Sequence, residues 1–191
     1  MGGTVVASLA VANNIDPTTP ATIVVGAPRG RVVTDRLDTK RWGESPYTLP
    51  RSPKERWRRE LSGGLDHAPV IDSRGGIIAT LVSPEVVRVT AAGKVDWRAT
   101  LGTSAAAVPP VITSDGSVAV LCRDGTLWRV TPKGRVRKHV NLNASSKTAT
   151  TTPIAFDDGS VLVATEHQLI RVAADGSIRA RTHMTERPDG G

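Results

Sequence analysis

The middle of the chain is a succession of short apolar runs separated by glycine-containing turns. Residues 76–82 and 86–90 are rich in β-branched side chains, and the second run contains Arg88, which we expect to be exposed. Residues 94–101 alternate polar and apolar positions, as a strand with one covered and one solvated face does. These runs are too short for helices. They predict strands joined by tight turns, with residues 94–101 at the outer edge of their sheet.

This pattern occurs three times, at a spacing of a little over forty residues. Each copy begins with a proline and has a glycine turn before its last strand. The prolines are Pro69, Pro110 and Pro153, and the glycines are Gly93, Gly134 and Gly176. Repeats of this length are typical of β-propeller blades. The sequence therefore predicts an all-β fold, a partial β-propeller of about three four-stranded antiparallel blades. The predicted blades cover residues 66–101, 107–142 and 150–183, with a leading strand at 54–61.

Three blades are fewer than a closed propeller needs, because propellers typically close with about 4 to 8 blades. Three explanations stay open. The chain is the amino-terminal piece of a longer product, or copies assemble into a ring, or the blades form an open arc that is stable through contacts between neighbours. In each case the predicted partner is another protein or the further blades that complete the ring.

The first copy ends in a Gly-x-x-x-Trp pattern formed by Gly93 and Trp97, and a Pro-rich stretch leads into a segment that contains Trp57. In these features the chain resembles the pyrroloquinoline-quinone-type (PQQ-like) β-propeller repeat. The resemblance covers residues 36–183. It implies that Trp57 and Trp97 each stack between blades and bury a large area there.

The later copies depart from the pattern of this family. Lys138 and Ala180 stand where the closing tryptophan would be, and Val89 and Ala92 replace the usual Asp and Thr before the glycine of the first copy. Since the tryptophans add interblade contact, their loss implies a divergent propeller with weaker docking between blades.

The resemblance leaves two functions from different classes. The first is a noncatalytic propeller that serves as a protein-interaction or cell-envelope scaffold, similar to the propeller lipoprotein of the outer-membrane β-barrel assembly machinery. The second is a fragment of a quinone-dependent dehydrogenase. A quinoprotein needs a calcium-binding Glu, Asn and Asp set, a Trp floor under the cofactor and often a vicinal Cys pair. Cys122 is the only cysteine and Trp128 lies in a predicted strand. We therefore favour the scaffold and predict no cofactor and no metal site.

Asp66 and His67 are the one polar cluster that stands out as a candidate site. They lie just before the innermost strand of the first blade, where loops approach the centre of a propeller, and an Asp beside a His tunes the imidazole. The other copies have no equivalent pair. No catalytic residue is predicted, and the alternative for Asp66 and His67 is an ordinary polar surface rather than a binding face.

The chain is strongly basic, with 25 Lys and Arg against 18 Asp and Glu, a formal charge of +7. Much of the excess lies between residues 29 and 59. Such a charge favours acidic partners. Only 3% of the residues are aromatic, which leaves no stacking platform for single-stranded nucleic acid. Nucleic acid is thus an unlikely partner. A solvated basic surface is the simplest interpretation, and a surface that binds nucleic acid or anionic lipid is the alternative.

A single cysteine excludes an intramolecular disulfide and a thiolate metal cluster. Cys122 ends an apolar run and has no His or acid beside it in the sequence. We predict a buried small apolar side chain there, and not a nucleophile.

The amino-terminal residues bear on the location of the protein, and neither end of the chain contains a predicted catalytic residue. Residues 1–35 contain an apolar stretch at 4–12, in which Ala10-Val11-Ala12 resembles a signal-peptidase site, and a Pro- and Thr-rich linker at 16–22. The stretch is too short to span a bilayer and has no basic leader. It favours a signal-peptide remnant, export to the cell envelope and attachment to a membrane surface. The alternative is the frayed terminus of a cytoplasmic protein. Residues 184–191 are predicted to be a disordered tail.

Overall fold

A computed structural model describes residues 55–143, 151–165 and 167–184, apart from the side chains of residues 138 and 139, and the backbone of residues 9–10 and 22–25. All regular elements in this part of the chain are strands. None of its segments is a helix with the length and apolar character to cross a bilayer. Most of residues 1–35, and the predicted tail beyond Met184, lie outside the described residues.

Three of the four sheets are four-stranded, antiparallel and built in sequence order, so that each chain segment completes one sheet before the next begins. Blade 1 contains β4–β7, which span Val70–Ile71, Ile77–Thr80, Glu85–Val89 and Val95–Thr100. Blade 2 contains β8–β11, which span Val111–Ile112, Val118–Leu121, Thr126–Val130 and Val136–Asn141. Blade 3 contains β12–β15, which span Ile154–Ala155, Val161–Ala164, Gln168–Val172 and Ile178–His183. The predicted fold class is confirmed.

The fourth sheet has three strands, and the sequence analysis did not predict two of them. β3 (Trp57–Glu60) is the observed part of the expected leading strand. It pairs with β2 (Thr22–Val25), which in turn pairs with β1 (Leu9–Ala10). These two strands fall in the region that the sequence analysis treated as an apolar terminus and a linker. Residues 9–10 and 22–25 are therefore part of a sheet.

The apolar core lies between successive sheets. One cluster joins β3 to blade 1 and includes Leu61, Ile77 and Val87; a second joins blades 1 and 2; a third joins blades 2 and 3. Each buried Val, Leu or Ile contributes roughly 1.5–3 kcal/mol through the area it removes from water. Because each cluster draws on two neighbouring sheets, no sheet contains a complete core of its own.

A β-bulge recurs at the same place in all three blades. The register between the third and fourth strands shifts after Arg88, after Arg129 and after Arg171. The shift leaves one extra residue in each fourth strand, and these residues are Asp96, Arg137 and Arg179. A bulge of this kind bends the strand and redirects a side chain.

Candidate docking site on blade 2

The turns of each blade lie at two opposite ends of its sheet. The end with the turns between the first and second and between the third and fourth strands is called the hairpin face here. The end with the turn between the second and third strands, together with the link to the next blade, is the connection face. Asp66 and His67 lie on the connection face, just before blade 1.

Asp66 and His67 contact blade 2. Asp66 Oδ2 accepts a hydrogen bond of 2.6 Å from Nη2 of Arg123, and His67 Nε2 lies 3.3 Å from the carbonyl oxygen of Ala106. Arg123 Nε donates to the same carbonyl at 3.2 Å. The His67 contact requires the proton on Nε2, since a carbonyl only accepts. The pair thus joins two blades, and its role as a binding face stays a prediction.

Arg123 is a partner that sequence reasoning missed. It is separated from Asp66 by 57 residues, and its place after Cys122 indicated only a turn. The repeat could have predicted this contact. In a propeller, the segment before one blade lies beside the turn between the second and third strands of the next blade.

Trp97 of blade 1 packs against the hairpin between β10 and β11 of blade 2, which is the outer hairpin of that blade. Its Nε1 donates to the carbonyl oxygen of Pro132 at 3.1 Å. Its ring lies so close to Gly134 that an added Cβ would stand 2.6 Å from Trp97 Cγ. Gly134 has φ of 79°, in the left-handed region that glycine adopts without steric cost. The Gly-x-x-x-Trp pattern is thereby explained: the tryptophan of one blade packs on the glycine turn of the next.

Trp57 repeats this arrangement one sheet earlier. Its Nε1 donates to the carbonyl oxygen of Ala91 at 2.9 Å, and its ring packs on Gly93. Both tryptophans are half-buried. The two contacts hold the amino-terminal sheet to blade 1 and blade 1 to blade 2.

The contact between blades 2 and 3 is made differently. A cavity of about 20 Å³ beside Gly176 is lined by Leu127, Val140 and Ala173 among others, and a space of this size holds about one water molecule. Polar contacts add to the apolar cluster between these blades. Arg129 Nη2 donates to Gly159 O at 2.8 Å, and Arg181 Nη2 donates to Leu142 O at 3.0 Å.

Arg88 is buried, which corrects the expectation that it is exposed. It has a relative exposure of 4%. Its Nε donates to Asp72 Oδ2 at 2.7 Å, and its Nη1 donates to Asp96 Oδ2 at 2.5 Å. A charged residue in an apolar run is usually solvated, whereas here two carboxylates compensate the buried charge of Arg88. Burial alone would raise the pKa of Asp72, but the hydrogen bonds from Arg88 and from the amides of Gly76 and Arg74 lower it.

Acid is expected to weaken the fold between about pH 4 and pH 2. Asp158 accepts hydrogen bonds from the hydroxyl and amide of Ser160 and lies near Arg171 and Arg179; the Ser160 bonds are the main cause that lowers its pKa from 3.8 to about 2. A carboxyl whose pKa is lower in the folded state stabilises the fold above its unfolded pKa, and this contribution disappears as the pH falls through the folded value.

Urea denaturation across this pH range tests the effect. Asp158→Asn should reduce the loss of stability on acidification, whereas Asp157→Asn, at the neighbouring exposed carboxylate, should leave it unchanged. If both variants follow the parent chain, Asp158 does not contribute to the acid sensitivity.

The outer hairpin of blade 2, between β10 and β11, carries a group of exposed positive charges. Lys133, Arg135 and Arg137 are exposed, and together with Thr131, Pro132 and Val136 they border an open groove of about 770 Å³. Within the described part of the chain, the salt bridges and side-chain hydrogen bonds of the structure involve none of these three cationic groups. We call this surface the basic hairpin.

In the other two blades, the residue at the position of Arg137 forms a salt bridge. At the same bulge, Asp96 pairs with Arg88 in blade 1, and Arg179 lies 2.8 Å from Asp158 in blade 3. The predicted basic excess lies between residues 29 and 59, and this hairpin was not predicted. The alternation Lys133, Arg135, Arg137 across a predicted turn was the signal available.

Cys122 is fully buried, in a cluster of apolar side chains between blades 1 and 2. Burial, with the nearby Asp124 carboxylate, raises the pKa of its thiol to about 12. A thiol in this state is a poor nucleophile and a poor metal ligand. In the part of the chain that the structure describes, no three His, Cys, Asp or Glu side chains group as metal ligands.

No protein-family model matches the chain, and no curated protein matches it. Its fold is similar to that of BamB from Moraxella catarrhalis, with a TM-score of 0.60, 17% identity and coverage of 92% of this chain and 48% of BamB. Streptogramin B lyase gives a TM-score of 0.53, 16% identity and coverage of 68% and 45%. A chain from the complex of BBS1N with ARL6DN gives 0.53, 13% identity and coverage of 85% and 50%. The chain spans about half the length of these structures. At such identities the likeness shows the fold, a divergent partial β-propeller.

Proposed function

We propose that this chain is a noncatalytic β-propeller module that binds an acidic surface of a protein partner through the basic hairpin of blade 2. The observation that supports it is the group of three exposed cationic side chains on one hairpin that form no salt bridge with another described residue. Elsewhere in the described structure, Arg58, Arg88 and Arg123 each pair with a carboxylate.

Two properties of the basic hairpin suit it to docking. It is anchored, because Trp97 packs on Gly134 and holds the carbonyl of Pro132, so that binding orders little of the backbone. It is also partly apolar, because Val136 has a relative exposure of 37% beside Arg135 and Arg137. Cationic groups around an apolar contact give both attraction at a distance and burial on contact.

The chain's net charge of +7 supports an acidic partner in general through long-range attraction. The propeller fold supports a scaffold, since BBS1N, a protein of similar fold, is known in complex with ARL6DN. A location in the cell envelope is supported by residues 4–12 and by the Pro- and Thr-rich segment 16–22. Cell fractionation with amino-terminal sequencing of the recovered protein tests it.

Charge reversal on the basic hairpin is the decisive experiment. The probe is a fluorescent ten-residue peptide rich in Asp and Glu, measured by anisotropy at low and moderate salt. The parent chain should bind it, more weakly as salt increases. The triple variant Lys133→Glu, Arg135→Glu, Arg137→Glu should lose at least tenfold in affinity, since each exposed pair contributes up to about 1 kcal/mol.

The matched control reverses three exposed charges elsewhere, at Arg56, Arg74 and Lys94, and so changes the net charge equally. It should retain most of the affinity. Equal losses in the two variants would show that binding follows net charge and not the basic hairpin. Tighter binding of a single-stranded DNA of the same length would show a general polyanion site and contradict a protein partner.

A further inference from the structure

The fourth strand of each blade begins with an exposed aliphatic residue. Val95, Val136 and Ile178 have relative exposures of 37 to 40%. We call these three residues the apolar row. The next residue along each strand is the extra residue of the bulge, which is acidic in blade 1 and basic in blades 2 and 3. The exposed position before it is aliphatic and β-branched in every blade.

The apolar row lies along the contacts between successive sheets. Val95 pairs with Val89, which is buried in the cluster that joins blade 1 to β3. Val136 and Ile178 pair with residues that are buried against blade 1 and blade 2, respectively. Residues opposite each other in an antiparallel pair lie on the same face of the sheet. Each member of the row therefore points toward the preceding sheet, and its exposure arises at a contact between two sheets of this chain.

Tryptophans anchor two of the hairpins that carry the row. Trp57 packs on Gly93 in the hairpin that contains Val95, and Trp97 packs on Gly134 in the basic hairpin. Both hairpins are thus held before any partner binds. A preformed surface of this kind loses little conformational freedom on binding.

The charge of the three hairpins changes along the row. Residues 91–96 of blade 1 and 174–179 of blade 3 each contain one basic and one acidic residue, so that their charges balance. These residues are Lys94 and Asp96 in blade 1, and Asp175 and Arg179 in blade 3. The basic hairpin, which lies between them, contains three basic residues and no acidic one. The row is therefore apolar at both ends and both apolar and cationic at its centre.

We propose that one acidic segment of a partner protein lies across the apolar row. Its carboxylates contact the basic hairpin, and an aliphatic side chain on each side of them packs against Val95 and Ile178. The inference rests on the proposed function and makes it more specific, because it defines the order of residues in the bound segment. The charge of the row matches this order, and the aliphatic contacts add burial that salt does not screen.

The same charge pattern disfavours other occupants. Nucleic acid and anionic lipid present negative charge throughout the contact, whereas the hairpins at the two ends of the row have no net charge. A wholly apolar segment would leave the three cations of the basic hairpin without a partner. A segment with an acidic centre and aliphatic flanks matches all three hairpins.

Fluorescence anisotropy with matched peptides tests the inference. The acidic ten-residue probe is compared with two kinds of longer peptide that contain it. In one kind, flexible Gly-Ser linkers of several lengths join a Leu-Ile pair to each end of the probe. In the other kind, two serines replace each pair. The best aliphatic peptide should bind about tenfold more tightly than its serine counterpart, since linked contacts act at a high effective concentration.

Threonine variants locate the contact. The double variant Val95→Thr, Ile178→Thr keeps β-branched side chains, which suit a strand, and makes them more polar. It should reduce the tenfold gain to about threefold or less and leave binding of the ten-residue probe unchanged. Met184→Thr is the matched control, because Met184 is also 39% exposed and lies just beyond the other end of β15 from Ile178. It should retain the full gain, and circular dichroism shows that each variant is folded.

The possible results separate this inference from the proposed function. If the ten-residue probe binds and the aliphatic peptides bind no more tightly than the serine peptides, the apolar row makes no contact and the inference is wrong. It is also wrong if the gain survives the double variant, or if Met184→Thr removes the gain equally. If the parent chain does not bind the ten-residue probe, the proposed function is contradicted, and this inference with it.

Discussion

Trp97→Ala is expected to lower the free energy of unfolding by about 3 kcal/mol, the lower end of the range for removing a tryptophan from a packed site. The substitution removes the ring that packs on Gly134 and on the apolar cluster between blades 1 and 2, together with the hydrogen bond to Pro132. A domain of this size is stable by roughly 5–15 kcal/mol. Urea denaturation followed by tryptophan fluorescence and circular dichroism measures the loss.

Trp57→Ala provides the comparison, because Trp57 makes the same contacts one sheet earlier. In a repeat protein stability is set by neighbouring interfaces. Loss of the terminal interface should free one sheet, whereas loss of the Trp97 interface divides the array in its interior. We therefore expect the smaller effect at Trp57. Trp97→Phe keeps an aromatic ring without the hydrogen bond and should cost about 1 kcal/mol. Small and equal losses at both tryptophans would show that these contacts do not hold the blades together.

Asp72→Asn should cost about 3 kcal/mol, because it leaves the buried guanidinium of Arg88 with one exposed carboxylate as its partner. Asp72 is more than a counterion. One of its carboxylate oxygens accepts from the amides of Arg74 and Gly76 at 2.8 and 2.9 Å, and the other accepts from Arg88. The turn between the first two strands of blade 1 and the third strand are therefore joined through one side chain.

Asp96→Asn is the control for this prediction. Asp96 also binds Arg88, but its side chain is 42% exposed, so that water compensates its loss and the expected cost is at most about 1 kcal/mol. A double-mutant cycle with Arg88→Met separates the free energy of the Asp72–Arg88 ion pair from that of the hydrogen bonds between Asp72 and the turn. The double variant Asp72→Asn, Arg88→Met should be less destabilised than the sum of the single variants. Strict additivity would mean that Asp72 acts on the turn alone.

The fold was predictable because three independent local signals agree in each copy. Pro69, Pro110 and Pro153 precede the inner strands, period-two alternation marks the outer strands, and glycine turns separate them. Each of these signals acts within about ten residues of chain, where backbone sterics and side-chain alternation decide the structure.

The features that escaped prediction depend on contacts distant in sequence. β1 has only two residues, too few to show any period, and it becomes a strand only by pairing with β2. Arg88 looks like a solvated residue until the fold brings Asp72 beside it, 16 positions away. The Asp66 contact with Arg123 spans two blades. In each case the partner, and not the local pattern, determines burial.

The candidate site was missed for a different reason. In the sequence, Lys133, Arg135 and Arg137 look like ordinary surface residues. The segment between residues 29 and 59 has a denser group of basic residues and is the more obvious candidate. What distinguishes the basic hairpin is that three exposed cations without a salt bridge lie together beside the exposed Val136, and this is known only when the fold is in place.

At the bulge shared by the three blades, the path of the backbone does not depend on the charge of the extra residue. The same register shift occurs whether the extra residue is Asp96, Arg137 or Arg179. The side chain at this position therefore contributes little to the conformation of the backbone. A single codon can therefore change the charge of one blade's rim while the backbone keeps its path, provided that the partner of that side chain changes with it, as Arg88 and Asp158 differ between blades 1 and 3. A duplicated array with such a position can evolve new partners blade by blade, while its neighbours keep the recognition that they already have.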